Sequence, residues 1–242
     1  MDKVSFGYED VPPEEKTRRV GGVFSSVASQ YDLMNDLMSA GMHRHWKSQF
    51  VRRLRPRSGE TILDMAGGTG DIAFRIAESG AQVTVADINA EMLEVGRERA
   101  ARRGIDDLLW AQENAEALTF PDQTFDAYTI AFGIRNVTDI AAALEEAHRV
   151  LRIGGRFFCL EFSTPTWPGF KELYDRYSET VVPKIGKFVA KDEASYRYLV
   201  ESIRRFPAMD EFKAMITASG FARVSVEPIL GGAVAIHSGW KI

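Results

Sequence analysis

The chain contains a single cysteine, Cys159, in 242 residues. A lone thiol has no intrachain partner, which excludes both a disulfide framework and a cysteine-based zinc cage. Long apolar runs are also missing. No stretch of about 18 residues is free of charge, and the first thirty residues carry charges and prolines where a secretory leader would be apolar. Neither a membrane span nor a signal peptide is expected, and the expected compartment is the cytoplasm. Histidine is scarce, at four scattered positions, so no metal site is expected. Neither sign of charge dominates: 30 basic and 34 acidic residues give a net charge of −4, which draws in neither nucleic acid nor phospholipid as a whole. The composition, 45% hydrophobic, 26% charged and 11% aromatic, is that of one ordinary soluble domain.

The charge is unevenly spread. Residues 1–60 hold ten Lys/Arg against eight acids, and the remainder 20 against 26. Between Leu37 and Gly59 six cations and no acid accompany Trp46, Phe50 and Leu54, whose four-residue spacing marks one face of a helix. Such a helix either packs on its own domain with a solvated basic face or rests on an anionic bilayer surface.

After Pro56 short apolar runs alternate with helical stretches. Strands are expected at Thr61–Met65, Gln82–Asp87, Leu108–Gln112, Ala127–Phe132 and Arg156–Phe162. Helices are expected at Gly70–Ser79, Ala90–Arg102 and Asp139–Leu151, the last closed by a turn at Gly154-Gly155. This alternation predicts βαβ units, hence an α/β fold with a mostly parallel sheet covered on both faces. A helix over Ala208–Ser219 stops at Gly220, a C-cap glycine. Strands at Arg223–Pro228 and Val234–Trp240 follow, joined through Gly231-Gly232. So short a link forces an antiparallel hairpin. The chain divides as an N-terminal helical substrate- or membrane-side extension (1–60), a core (61–162), an inserted substrate lid (163–207) and a C-terminal helix with hairpin (208–242). The insertion is rich in aromatics, among them Trp167, Tyr174, Tyr177, Phe188, Tyr196 and Tyr198.

The turn Asp64-Met65-Ala66-Gly67-Gly68-Thr69-Gly70-Asp71 joins the first of these strands to its helix, where glycines let a ligand approach the backbone. From Gly68 it satisfies a loose dinucleotide pattern, which alone is weak. Charge argues against a pyrophosphate. Asp71 stands in the first helical turn, and a like-charge contact at about 4 Å costs up to about 4 kcal/mol at intermediate dielectric. Asp64 and Asp71 suit instead a ligand with an ammonium and a sulfonium beside an adenosine, namely S-adenosylmethionine. Asp87, seventeen residues beyond Gly70, can accept from two ribose hydroxyls, and Asn114 with Ala115 can read an adenine edge. Each residue also has a structural reading: Asp71 as a helix cap, Asp87 as a turn acid, Asn114 as an N-cap. Their recurrence at three successive strand ends favours a ligand.

Longer motifs now enter. Tyr31-Asp32-Leu33-Met34-Asn35-Asp36-Leu37-Met38-Ser39, running on through Gly41-Met42-His43-Arg44-His45-Trp46-Lys47, resembles the N-terminal signature of the UbiE family, the C-methyltransferases of ubiquinone and menaquinone biosynthesis. Phe132-Gly133-Ile134-Arg135-Asn136-Val137-Thr138-Asp139 resembles the family motif after the fourth strand. Arg149-Val150-Leu151 through Gly154-Gly155 to Glu161-Phe162-Ser163 resembles its second signature, and Ser195-Tyr196-Arg197-Tyr198-Leu199 its substrate-side helix. The likeness runs from about Phe24 to the C-terminus. Departures are few: Gly67 replaces a larger small residue, Ile153 a turn proline and Ala131 a serine. The resemblance implies a class I S-adenosylmethionine-dependent methyltransferase, Rossmann-like, with a seven-stranded sheet. It also implies cofactor contacts at Thr69, Asp87, Asn114 and Ala115, with Asp64, Gly68 and Gly70 in the same turn. The implied reaction is C-methylation of a polyprenyl quinol, with no nucleic acid partner. Transient peripheral membrane contact is the corollary of a polyprenyl tail, and a homodimer or a quinone-biosynthesis complex is open.

A quinol carbon becomes nucleophilic when an adjacent hydroxyl ionises, and a phenol with pKa about 10 needs help to do so near neutrality. Arg135 is the expected phenolate stabiliser, since a guanidinium stays protonated and cannot be the base, and Asn136 is expected to position the ring hydroxyl. The bland alternative for Arg135 is a helical pair with Asp139. Tyr196 and Tyr198 line the quinol pocket or simply pack. The four histidines are expected to be structural. Three classes remain open: the quinol C-methyltransferase, an S-adenosylmethionine enzyme acting on another small molecule, and a binding protein that kept the fold. An NAD-dependent oxidoreductase is disfavoured by Asp71 and by the long segment before the first strand.

Overall fold

A computed structural model describes residues 3–27, 36, 39, 41–165, 167 and 193–242. Most of the Tyr31–Ser39 signature, Tyr174, Tyr177 and Phe188 lie outside these residues, as does the apolar loop near 181–186.

A short hairpin, β1 (Val4–Phe6) and β2 (Glu9–Val11), leads into α1 (Pro13–Val27) and then α2 (His43–Leu54). Next come β3 (Thr61–Met65), α3 (Asp71–Ala77), β4 (Gln82–Asp87), α4 (Ala90–Arg103), β5 (Leu109–Gln112) and β6 (Phe125–Ala131). The chain ends with α5 (Ile140–Val150), β7 (Leu151–Phe162), α6 (Glu193–Arg205), α7 (Met209–Ala218), β8 (Ala222–Ile229) and β9 (Val234–Trp240). The seven-stranded sheet has the order β5-β4-β3-β6-β7-β9-β8, with β9 antiparallel to both neighbours and the other pairs parallel.

Period-two alternation sends successive residues of β3 to opposite faces. Ile62 joins Trp46, Phe50, Leu54, Ile76 and Leu93 on the side covered by α2, α3 and α4. Leu63 joins Tyr128, Leu144, Phe157, Phe212 and Ile216 on the side covered by α5 and α7. The α2 stripe is thus core: Phe50 is fully buried, and burial of such a side chain contributes about 1.5–3 kcal/mol.

Two expected boundaries change. The helix before β7 ends at Val150 and the strand begins at once at Leu151, so Gly154 and Gly155 lie inside β7 and do not close a turn before it. Their backbone pairs with the C-terminus: Gly154 N donates to Lys241 O at 2.7 Å, and Lys241 N to Gly155 O at 3.0 Å.

Candidate functional site

From β3 the chain crosses to β4 and β5 on one side, and from β6 to β7 on the other. This leaves a crevice at the carboxyl ends of β3 and β6. Asp64, in β3, is almost fully buried. Its Oδ1 accepts from Thr129 Oγ1 at 2.7 Å, while Oδ2 has no hydrogen-bond partner. Burial pushes this carboxyl up to about 7, against the opposing pull of Thr129 and the Lys47 charge. The following turn needs glycine for two different reasons. Gly68 and Gly70 have φ of 52° and 84°, the left-handed region. At Gly67 the limit is space: a Cβ would stand 2.6 Å from Val85 Cγ1 and 3.1 Å from Asp64 Oδ2.

Asp87 closes β4. Its Oδ2 accepts from Gly68 N at 3.0 Å and its Oδ1 from Asn89 N at 2.9 Å, which ties the glycine turn to the second strand. Burial raises its carboxyl to about 6, with those backbone donors working the other way. Thr69 is buried and accepts from Arg99 Nη1. Beyond β5, Asn114 Oδ1 accepts from Glu116 N at 3.0 Å, and Ala115 is buried beside it.

One cavity gathers Asp64, Gly68, Thr69, Asp87, Asn114, Ala115 and Asn136 on its wall. Gly70 is not on that wall; a Cβ there would meet Phe74 and Trp110 instead. Arg135 and Tyr198 line an adjoining cavity that shares Val137 and Thr138 with the first. Tyr198 Oη donates to Asn136 Oδ1 at 3.0 Å, which connects the two. Burial pushes the Tyr198 phenol up to about 12, so it stays a donor. The side chain of Tyr196 lies outside the described residues. No histidine is on the wall of the main cavity, and no cluster of metal-ligating groups exists among the described residues.

Arg135 sits in a single 3-10 turn, Ile134–Asn136, and is buried. Its Nη1 lies 2.8 Å from Glu161 Oε1, and its Nε is buried without a partner. Its ion-pair partner is therefore Glu161 of β7. Asp139, the partner expected in the bland alternative, instead caps α5 by accepting from Ala142 N at 3.1 Å.

Asp71 also differs from expectation. Lys47 Nζ lies 2.8 Å from Asp71 Oδ2, with Arg75 at 3.7 Å. Burial alone would raise this carboxyl, but the charges of Lys47, Arg75 and Arg99 outweigh it and hold it low. Asp71 is thus a neutralised acid, and it cannot by itself repel a phosphate. The acid that distinguishes the turn is Asp64, whose Oδ2 is buried without a hydrogen-bond partner.

Sequence reasoning expected residues 1–60 to be helical without placing α1 at the cavity. This helix contributes Thr17, Val20, Gly21 and Phe24 to the cavity wall. Lys16 Nζ donates to Val137 O at 2.8 Å at one end, and Asn89 Nδ2 donates to Ser25 Oγ at 3.0 Å at the other. The helix therefore spans the cavity from the loop after β6 to the loop after β4. Pro13 at its first position and Glu14-Glu15 in its first turn were the available signals.

The strand order, the glycine turn after the first strand of the sheet and the acid ending the second define a class I methyltransferase, the S-adenosylmethionine-dependent Rossmann-like fold. Solved structures agree on the fold. A methyltransferase of Thermotoga maritima described as a possible histamine N-methyltransferase aligns with TM-score 0.67 at 18% identity, over 92% of this chain and all of that one. A phosphoethanolamine N-methyltransferase of Haemonchus contortus in complex with S-adenosyl-L-methionine aligns with TM-score 0.60 at 15% identity, over 81% of this chain and 52% of that one.

Sequence comparison is more specific. Residues 13–241 match the ubiE/COQ5 methyltransferase family, and the chain belongs to that family. A ubiquinone/menaquinone biosynthesis C-methyltransferase UbiE of Zymomonas mobilis is 63% identical over the full length of both chains. A mitochondrial 2-methoxy-6-polyprenyl-1,4-benzoquinol methylase of Oryza sativa is 53% identical, over 98% of this chain and 88% of its own. No helix among the described residues is long and apolar enough to cross a membrane.

Proposed function

We propose that this enzyme methylates a ring carbon of a polyprenyl quinol, with S-adenosylmethionine as donor, in ubiquinone biosynthesis, menaquinone biosynthesis or both. The observation that carries the cofactor reading is Asp64: a buried carboxylate with an unpartnered oxygen on the wall of the cavity that also holds the glycine turn and Asp87. That donor set fits an aminoacyl adenosine, with Asp64 for the ammonium, Asp87 for the ribose diol, and Asn114 with Ala115 at the base. When bound, S-adenosylmethionine supplies an electrophilic methyl group on a sulfonium. The substrate class rests on the full-length likeness to the Zymomonas and Oryza enzymes.

The chain's own residues then have the following roles. Asn136, held through Oδ1 by Tyr198, keeps its Nδ2 for a ring oxygen of the acceptor. Arg135, on the wall of the adjoining cavity, favours the ionised ring oxygen through the charge of its guanidinium. The α1 helix over the cavity limits water around the reacting groups. A polyprenyl tail puts the substrate at a bilayer, and we propose transient contact of the basic α2 region with an anionic surface. Flotation with anionic liposomes tests this, and protein that stays in the soluble fraction with and without quinol removes it. Whether the chain self-associates or joins a quinone-biosynthesis complex is read by its elution with and without those partners.

The decisive experiment offers the purified protein labelled S-adenosylmethionine with demethylmenaquinol or methoxy-polyprenyl-benzoquinol, each reduced and oxidised. Transfer to at least one reduced quinol and to neither quinone is expected. No transfer to either quinol refutes the substrate class and leaves a methyltransferase of another small molecule.

A further inference from the structure

Lys47 lines the main cavity, and the reading above gives it no part in binding a ligand. It projects from α2, outside the sheet and its crossover helices, yet it is 5% exposed and lies on the same wall as Asp64, Gly67, Gly68 and Thr69. A lysine is seldom buried without a task, because removing an ammonium from water is costly unless it is paired. Among the described residues its hydrogen-bond partner is Asp71, through one N–H. An ammonium has three donors, so two remain. The Lys47 charge also acts on Asp64 as well as on Asp71.

The cavity wall thus presents a cation and, within reach of its charge, an acid with an unpartnered oxygen, beside a glycine turn that Gly68 N ties to Asp87. An α-amino acid is complementary to such a pair, since it carries an ammonium and a carboxylate on one carbon. We infer that Lys47 binds the carboxylate of the methionyl end of S-adenosylmethionine while Asp64 takes its ammonium. This rests on the cofactor reading above and adds to it a recognition element for the amino-acid zwitterion. Asp71 then acts as a positioning residue: it holds the Lys47 ammonium at the turn and cancels the excess positive charge when no ligand is present.

Titration calorimetry with two ligands tests the assignment without turnover. S-adenosylhomocysteine carries the zwitterion, whereas 5′-methylthioadenosine keeps the adenosine and the thioether and lacks both charges. Lys47→Met should weaken S-adenosylhomocysteine by about tenfold or more, the scale of a charge-assisted hydrogen bond, and leave 5′-methylthioadenosine within about twofold. Lys47→Arg should restore part of the loss. Equal weakening of both ligands means that Lys47 only supports the turn, and unchanged binding of both means that it touches neither; either result overturns the assignment. Lys47→Met strands Asp71, so the double variant Lys47→Met/Asp71→Asn is read in the same way if the single variant does not fold. Wild-type protein that binds neither ligand would instead refute the cofactor reading, and the assignment with it.

Discussion

Asp64 should be costly to the fold in the absence of ligand, and the cost can be worked out. Its carboxyl moves from the ordinary 3.8 to about 7 on folding because it is buried with one oxygen unpartnered. That is about three pH units, which at about 1.4 kcal/mol per unit amounts to about 4 kcal/mol. Between those two values the folded chain holds a proton that the unfolded chain has released. Stability therefore falls as pH rises from about 4 to about 7, and above that range the whole cost is present. Asp64→Asn has no charge to lose. It keeps the acceptor for Thr129 but places an amide N–H₂ where Oδ2 was, an unsatisfied group worth about 1–3 kcal/mol against the variant. At about pH 8 the variant should gain a net 1–3 kcal/mol or so over wild type. The pH slope of the difference should survive that offset: about 2 kcal/mol more in the variant's favour at about pH 7 than at about pH 5. Urea unfolding at four pH values measures it. S-adenosylhomocysteine at about a hundred times its dissociation constant should add about 2.7 kcal/mol to wild type and almost nothing to the variant. A stability difference that is flat across this range would refute the premise that Asp64 is a strained acid awaiting a cation.

Arg135→Ala leaves Glu161, 1% exposed, as a buried unpaired acid, and should cost about 3–5 kcal/mol of stability in urea. Arg135→Met/Glu161→Gln should recover most of this, and equal stability of the single and double variants would show that the pair is not coupled. At a temperature where Arg135→Ala is folded, it should lose turnover far more than S-adenosylhomocysteine affinity; an equal loss of both would refute the oxyanion role. Ala66 sits at φ 51°, a region that disfavours a side chain by about 1–2 kcal/mol, so Ala66→Gly should raise the thermal midpoint or leave it unchanged, and a clear drop would contradict the strain. Gly96→Ala puts a Cβ 2.4 Å from Trp110 and 3.1 Å from Gly68 O; it should lose about 1–3 kcal/mol in thermal unfolding and weaken 5′-methylthioadenosine, and wild-type values would show that Trp110 yields freely.

The strands were legible where composition and punctuation agreed. TILDM and QVTVAD are short apolar runs with an acid at or next to the end, Asp64 and Asp87, and both are strands over the expected residues, Thr61–Met65 and Gln82–Asp87. The hairpin before α1 was not legible, because three-residue strands are too short for alternation to show. At Gly154-Gly155 the local signal pointed to a turn, and it lost to a pairing with Lys241 almost ninety residues away, which no window could contain.

Lys47 is the instructive case, because the signal was present and was overridden. The spacing of Trp46, Phe50 and Leu54 predicts one apolar face, with the cations turned to water or to an anionic bilayer surface. Yet the buried positions are His43, Trp46, Lys47, Phe50 and Leu54, so the stripe runs 43, 47, 50, 54 in steps of four, three and four, the spacing of a core-facing helix. Periodicity alone placed Lys47 inside, while residue type placed it outside. Where the two disagree, geometry decides the position of the backbone, and the side chain must then find a partner within reach. Asp71 meets that need in part, and it neutralises the very acid on which the charge argument against a phosphate was built. A charged residue at a core step of a helical stripe is therefore better treated as a candidate site residue than as a solvated one, and its partner should be sought before any acid nearby is assumed to be free.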